Sequence, residues 1–452
     1  MRVISLLVVL MASCSLWAQE DSVKMNEMTL DAQILTRGEL RRGGLIATDD
    51  VQDADKANFV AERARLTFGF KRDALSMKVS VQHNGLWGME GDGSNFDIYE
   101  AWAQLTAKNG LFAKVGRQEL CYDDERILGS NDWAMAGLSH DVLKIGYEGY
   151  GHKVHAFAAY NQNSKNTNGG TFYTNGAQPY KSMQGLWYHY DVPRFPLGAS
   201  LLFLNIGMES GTEKEHHTAN QQLYGGYITF HPQRFSLELS YYRQAGKASM
   251  DYTSGKELPL KAWMGSVKSS FDINDMFTAY AGFDYISGDK EFAVPKPGLL
   301  GSGKGTAPLT AVRHTEITSF TSLNGSMRNF YGMMDFFYVS TYFCTFSPGL
   351  QNLFGGVKVK PLKGLSLDMS YHYMATATKL HDLNMTLGHM IELSAKYQVM
   401  RDVSVSAGYS YMSGTGTMER LERTTDSRKL HWGWVMLVIS PQIFSQRSSQ
   451  LK

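Results

Sequence analysis

The sequence predicts an all-β fold, a transmembrane antiparallel β-barrel of about 18 strands with short periplasmic turns and long extracellular loops. Three observations carry that prediction. Segments of about ten residues alternate apolar and polar side chains along most of the chain. The links between them alternate in length. The chain also opens like an exported protein and is rich in Tyr, Phe and Gly but poor in Cys.

Met1-Arg2 precedes an apolar run from Val3 to about Ala12, followed by Ser13-Cys14-Ser15-Leu16-Trp17-Ala18. A basic start, a short apolar run and a small residue before polar Gln19 read as a secretory signal peptide, too short to span a bilayer as a helix. Residues 1–18 are therefore expected to be removed, leaving 19–452 as a single outer-membrane barrel domain. Met11-Ala12-Ser13-Cys14 is a weak match to a lipoprotein box, because Met11 is atypical there. Only Cys121 and Cys344 remain in the mature chain, so one disulfide at most can form and none defines the fold. A net charge of +1 offers no electrostatic case for nucleic acid.

The hairpin over residues 59–84 shows the repeating unit. Ala64, Leu66, Phe68 and Phe70 share one face, and Arg63, Arg65, Thr67 and Gly69 the other, because successive strand side chains point to opposite sides. Lys71-Arg72-Asp73 reads as the turn. Leu75, Met77, Val79 and Val81 then alternate with Ser76, Lys78, Ser80 and Gln82. The same pattern begins earlier, at 28–37, and continues at 96–106, 111–118, 140–148, 153–161, 183–190, 198–206 and 221–231. It resumes at 235–243, 261–271, 276–286, 352–360, 365–374, 388–398, 403–412 and 430–440.

Links after even-numbered segments are short, as at 107–110, 149–152, 232–234 and 361–364, whereas those after odd-numbered segments are mostly long and polar, as at 38–58, 119–139, 162–182 and 244–260. A secreted all-β enzyme has no reason to sort loops by strand parity. A barrel inserted from the periplasm does. Two segments, 198–206 and 430–439, are apolar on both faces, which calls for a plug or folded loop over their inner faces or a different register. The stretch 287–351 is too long for a plain loop. Its Phe330, Tyr331, Met333, Met334, Phe336 and Phe337 suit a segment folded into the lumen or capping the mouth. Tyr99, Trp133, Tyr160, Tyr188, Tyr190, Tyr285, Tyr409, Tyr411 and Trp432 fit an interfacial aromatic girdle, or ordinary strand composition.

By parity the lumen face carries Arg37, Arg63, Arg65, Lys78, Lys114, Lys144, Lys153, Lys268, Lys358, Lys360 and Lys396. It also carries Asp31, Glu39, Glu100, Glu148, Glu238, Asp284, Asp368 and Glu392. Taken across the turn, Lys78 falls roughly opposite Thr67, one step from Arg65. Arg63, Arg65 and Lys78, with Lys114 two segments on, then form a cationic patch that favours an anionic solute. The same residues can equally serve as ion pairs that hold the wall. No HExxH or CxxC spacing supports a metal, so neither metal nor other cofactor is expected. A lipid-modifying barrel enzyme would need a nucleophile near one rim. Only His140-Asp141 and scattered serines keep that reading open.

Val115-Gly116-Arg117-Gln118-Glu119-Leu120, Tyr122-Asp123-Asp124-Glu125-Arg126-Ile127-Leu128-Gly129 and Asn131-Asp132-Trp133 resemble the signature of the alginate export family of outer-membrane barrels. The strand Glu62–Gly69, His140-Asp141, Gly388 with Glu392, and Gly408-Tyr409-Ser410 are similar too. The resemblance covers nearly the whole mature chain and is most specific in its first third. It implies an eighteen-stranded monomeric barrel in the outer-membrane lipid, through which an anionic polysaccharide passes guided by lumen arginines. By matching positions it carries over Arg63, Arg65, Arg117 and Arg126, with Asp124 beside them in the motif. Arg117 shares the parity of Ala113 and Val115, so it reaches the lumen only through a bulge or a turned strand end. The alternative expectation is a general porin-like uptake channel with no substrate preference; the solute partner expected is an anionic or neutral saccharide. Either channel could work with periplasmic export or uptake proteins.

Overall fold

A computed structural model describes residues 24–42, 56–89, 94–164, 166–173, 178–249, 257–289, 315–322, 324–334, 347–380, 383–422 and 429–450. The expected signal peptide, Cys344 and the 335–346 part of the long stretch lie outside the described residues.

The alternating segments form the strands. The first six are β1 (Lys24–Arg42), β2 (Lys56–Arg72), β3 (Leu75–Leu86), β4 (Ser94–Thr106), β5 (Leu111–Gln118) and β6 (His140–Gly149). There follow β7 (His152–Tyr160), β8 (Ser182–Asp191), β9 (Leu197–Gly211), β10 (His216–Phe230), β11 (Phe235–Ser249), β12 (Glu257–Pro259) and β13 (Ala262–Asp272). The wall continues with β14 (Phe277–Ile286), β15 (Leu350–Leu362), β16 (Leu365–Ala375), β17 (Thr386–Met400) and β18 (Val403–Gly414). It ends with β19 (Lys429–Ile439) and β20 (Gln442–Gln450).

Neighbours pair antiparallel around the ring, and β1 closes it against β19 over Ile34–Arg42. Strand β12 is a short side strand on β11. Strand β20 continues β19 beyond Pro441 and pairs with the first part of β1. Counted as staves, the wall is a closed eighteen-stranded antiparallel barrel. Closure leaves no sheet edge unpaired, which is what hydrocarbon demands of a β-structure.

Alternation sets the two faces. On the outside stand Leu66, Phe68, Met77 and Val79, each exposed, while Arg63, Ser80 and Gln82 on the other face are buried. That is the binary pattern of a barrel bathed in lipid. The expected aromatic girdle needs three corrections. Tyr99 is buried inside, because a bulge offsets β4 against β3: Ser80 pairs with Glu100 but Val81 with Ile98. The extra residue turns Tyr99 inward together with Glu100. Trp133 sits in a loop within the lumen, and Trp432 is buried on the inner face of β19.

The final segment also differs from expectation. Beyond the last alternating segment, at 430–440, residues 442–450 form a further strand along β1. Apart from the adjacent Ile443 and Phe444 its side chains are polar, so no amphipathic alternation marks it.

Candidate solute pathway

Beyond Gln118 the chain does not arch outward as a polar extracellular loop. Residues 119–139 turn into the lumen. Leu120, Ile127 and Leu128 pack there with Leu202, Leu204 and Ile206 from the inner face of β9. The doubly apolar segment at 198–206 is thus covered by a folded loop. The loop's course requires positive φ at three non-glycine residues, Asp123 (56°), Glu125 (63°) and Asn131 (47°). Such a conformation persists where the surroundings over-determine it. Here they do: the Asp123 carboxylate accepts hydrogen bonds from Trp187 Nε1 at 3.1 Å and Tyr242 Oη at 3.2 Å. Burial pushes the Asp123 carboxyl above its ordinary pKa.

Arg126 is the loop's main anchor on that side. It reaches Asp124 at 3.1 Å, Asp284 on β14 at 3.0 Å, Ser266 on β13 at 3.1 Å and the Tyr331 hydroxyl at 2.9 Å. Its guanidinium also lies 3.9 Å from the centre of the Phe330 ring. Burial opposes the charge, but the Tyr331 hydroxyl and the Asp284 and Asp124 carboxylates outweigh it and raise the arginine's pKa above the usual value. At its far end the loop is held by the opposite wall. Arg37 donates to the Trp133 carbonyl, Arg63 to the carbonyls of Asp132 and Ala134, and Gln82 to that of Ala136.

A second segment, 315–334, crosses the lumen beside the first. The two are joined where Gly129 N–H donates to the Asn324 carbonyl and Ser326 N–H to that of Glu125. Arg328 stacks on Trp133 and on Trp432, at 4.7 and 4.6 Å from their ring centres. Tyr331 and Met334 are buried, and Met333 N–H donates to Glu392 on β17. Residues 324–334 thus lie against the inner wall, whereas Phe336 and Phe337 lie outside the described residues.

The predicted cationic patch is dispersed. The hairpin turns at Asp73-Ala74, because Arg72 pairs with Leu75. Lys78 consequently lies opposite Gly69 rather than Thr67, and pairs with Glu100. Arg63 has no exposed side-chain surface and is bound to Gln33, Asp132 and two loop carbonyls. Arg65 lies flat on Tyr99, 3.6 Å from the ring centre, and is held by Gln82. Lys114 caps the Trp102 ring at 3.7 Å. Arg117 is a correction: it stands on the outer face with Val115 and forms a two-pronged pair with Asp141 at 2.9 and 2.8 Å. No bulge interrupts β5 there, so the pairing with β6 keeps it outside. Arg126 and Asp124 border the lumen cavity, but they bind each other, the wall and the second segment.

What the crossing segments leave open is a cavity of about 540 Å³. Its wall is rich in hydroxyls, from Tyr227, Ser240, Ser266, Tyr280, Ser394 and Ser406. Five cations and five carboxylates border it. Most of the acids are engaged within the protein: Glu238 by Tyr227, Asp284 by Arg126 and Asn352, Asp368 by Tyr280. Lys358 pairs with Asp368 at 3.8 Å. Among the described residues Lys268 and Lys396 have neither an ion pair nor a side-chain hydrogen bond. Lys396 also borders a second cavity, of about 570 Å³, that extends to the turn at Arg401-Asp402. Lys396 thus lines both the hydroxyl-lined chamber and the cavity at the short-turn rim. Parity had placed both lysines in the lumen. Nothing in the sequence distinguished them from the paired ones, because pairing depends on which strands and loops meet.

The family model for alginate export matches residues 39–386. No curated protein matches the sequence closely enough to count as a relative. Similar solved structures include Pseudomonas aeruginosa OccK2 (OpdF) in complex with glucuronate, 10% identical, with a TM-score of 0.57 over 92% of this chain and 98% of that one. Acinetobacter baumannii OccAB1 is 11% identical, with a TM-score of 0.60 over 92% of this chain and 97% of that one. A BenF-like porin from Pseudomonas fluorescens Pf-5 is 10% identical, with a TM-score of 0.58 over 92% and 99%. At such identities the likeness is one of fold.

Proposed function

Because this chain belongs to the alginate export family of outer-membrane β-barrels, we propose that its passive channel carries an anionic oligosaccharide or polysaccharide, as a monomer and without cofactor. The observation that supports the reading is the chamber in which two unpaired lysines, Lys268 and Lys396, face a hydroxyl-rich wall. Hydroxyl side chains exchange hydrogen bonds with sugar hydroxyls, and each lysine offers a mobile point charge to a carboxylate. At an effective dielectric of about 20, a charge pair at 4 Å gains roughly 4 kcal/mol before desolvation. Wetted, shared contacts of that kind let a solute enter and leave. A barrel of the same fold has been crystallised with glucuronate, a sugar acid, which makes this solute chemistry compatible with the architecture.

In this reading Arg63, Arg65 and Arg126 shape the path by holding loops and Tyr99 rather than by touching solute. Asp124 assists Arg126. Lys78 and Lys114 contribute positive potential offset by Glu100, with Lys114 resting on the Trp102 ring. The leader at 1–18 would deliver the chain to the cell envelope.

Planar-bilayer recording tests the proposal. Wild-type channels should prefer anions in a salt gradient, and glucuronate oligomers should interrupt the current. Lys268→Glu with Lys396→Glu should shift the reversal potential toward cations and weaken the block. An unchanged reversal potential with no block would sink the anionic reading. The equality of cations and acids around the chamber supports a second reading, a general porin-like uptake channel with little charge preference. It predicts block by neutral and acidic sugars alike.

A further inference from the structure

The outer wall holds a concavity unrelated to the lumen. Strands β8 to β14 present large side chains to lipid, but Ala199, Gly226 and Gly265 interrupt them. The result is a groove of about 830 Å³ walled by Tyr188, Leu201, Ile228, Tyr241, Trp263 and Tyr285. Its upper wall is rigid: the Trp263 and Tyr285 rings stack with centres 4.5 Å apart, and Tyr241 lies 6.0 Å from Trp263. The floor at Gly265 is open, since a β-carbon there would meet nothing nearer than 3.7 Å. A groove of this size is within the range of ligand sites.

One charge stands at its upper end. Arg243 pairs across the sheet with Trp263 on one side and Tyr224 on the other, on the outward parity of Leu239 and Tyr241. From Phe235 to Arg243, at about 3.4 Å per residue and a tilt of roughly 40°, the wall rises roughly 20 Å. That places the guanidinium near the top of an apolar band about 25 Å tall, at the headgroups of the outer leaflet. Other rim cations already have acids: Lys247 has Glu257, and Lys261 has Glu316. Among the described residues Arg243 has none.

We propose that the groove and Arg243 together hold one phosphorylated glycolipid of the outer leaflet. An acyl chain lies over Gly226 and Gly265, and a phosphate meets the Arg243 guanidinium. The apolar lining selects a hydrocarbon chain, because this face meets only lipid. The exposed arginine selects a phosphate, whose oxygens match its planar fork. The site is independent of solute passage.

Native mass spectrometry of the delipidated full-length protein, offered bisphosphorylated lipid A, its dephosphorylated form or phosphatidylethanolamine, tests this. The wild type should retain one lipid A about tenfold better than either control. Gly265→Leu, whose β-carbon meets nothing nearer than 3.7 Å and whose branch projects from the floor, and Arg243→Ala should each lower that retention about tenfold and leave ion conductance unchanged. Equal retention by wild type and both variants would overturn the site, equal retention of dephosphorylated lipid A would overturn the phosphate contact, and equal retention of phosphatidylethanolamine, which also carries a phosphate, would overturn the choice of a glycolipid. A dimer lost on the same substitutions would assign the groove to a second copy of the chain and also overturn the proposal.

Discussion

Ser326 Oγ lies 2.7 Å from Glu125 Oε2, although 201 residues separate them in the chain. The same carboxylate oxygen accepts Ser130 N–H at 3.0 Å. One carboxylate thus fastens the two lumen segments together and braces the bend of the first. Hydrogen bonds to a charged group contribute about 1.5–3 kcal/mol each. Glu125→Ala should therefore loosen the crossing, with a larger and noisier single-channel current. Traces identical to wild type would show that the backbone bonds at Gly129 and Ser326 suffice.

Arg63 is an anchor, so changing its charge should damage the protein before it alters selectivity. Arg63→Glu places an acid beside Asp132 and leaves two loop carbonyls without donors. We expect a loss of roughly 1.5–3 kcal/mol, read as a lower temperature for conversion of the heat-modifiable band. Arg63→Lys should recover only part of it, because a compact ammonium lacks the spread with which Nε, Nη1 and Nη2 reach Gln33 and the loop carbonyls together. A fully folded Arg63→Glu barrel with reversed ion selectivity would return Arg63 to the solute path.

The faces of β2 can be tested by substitution. Phe68 faces lipid and Thr67 faces the lumen beside Ser80. Phe68→Arg should cost roughly 2–4 kcal/mol if it sits at the bilayer midplane, seen as reduced insertion into liposomes. Thr67→Arg should insert normally. Equal insertion of the two variants would contradict the register.

Truncation after Pro441 removes β20 and leaves the first part of β1 paired on one side only. The shortened protein should assemble in lower yield and lose its folded band at a lower temperature. Wild-type behaviour would mean that β20 contributes little to closure.

The staves were legible because a membrane wall writes its two faces directly into the sequence with period two. The last of them escaped because its only apolar residues, Ile443 and Phe444, are adjacent and the rest are polar, so 442–450 carries no alternation. Parity failed at Tyr99, where one bulge residue reverses the inward and outward sets; at Lys78 parity held and the register did not, because the turn centre decides the partner. The lumen loop was partly visible. Leu120, Ile127 and Leu128 within a supposedly polar link, and Leu202 and Leu204 on a wall that ought to be wet, were two halves of one contact. Their meeting could not be read because it joins residues about 80 positions apart through backbone bends at Asp123 and Glu125 that no pattern announces. The candidate site suffered most: residue type marks a cation, but only the assembled neighbours decide whether it is spent on the wall or free for a solute.

Residues 119–139 bind β1 and β2 through Arg37 and Arg63 at one end, and β8, β11 and β14 through Trp187, Tyr242 and Asp284 at the other. Mechanically this is a tie rod across a hoop. An empty hoop flattens under lateral load, whereas a hoop with a rod across its width resists ovalisation along that axis. Changes in membrane tension or thickness should then tilt the cylinder as a rigid body and leave its bore alone. Any widening of the path has to come from the crossing segments sliding off their anchors, a discrete event with its own barrier. Such an arrangement predicts a conductance that changes in steps and does not drift with membrane tension.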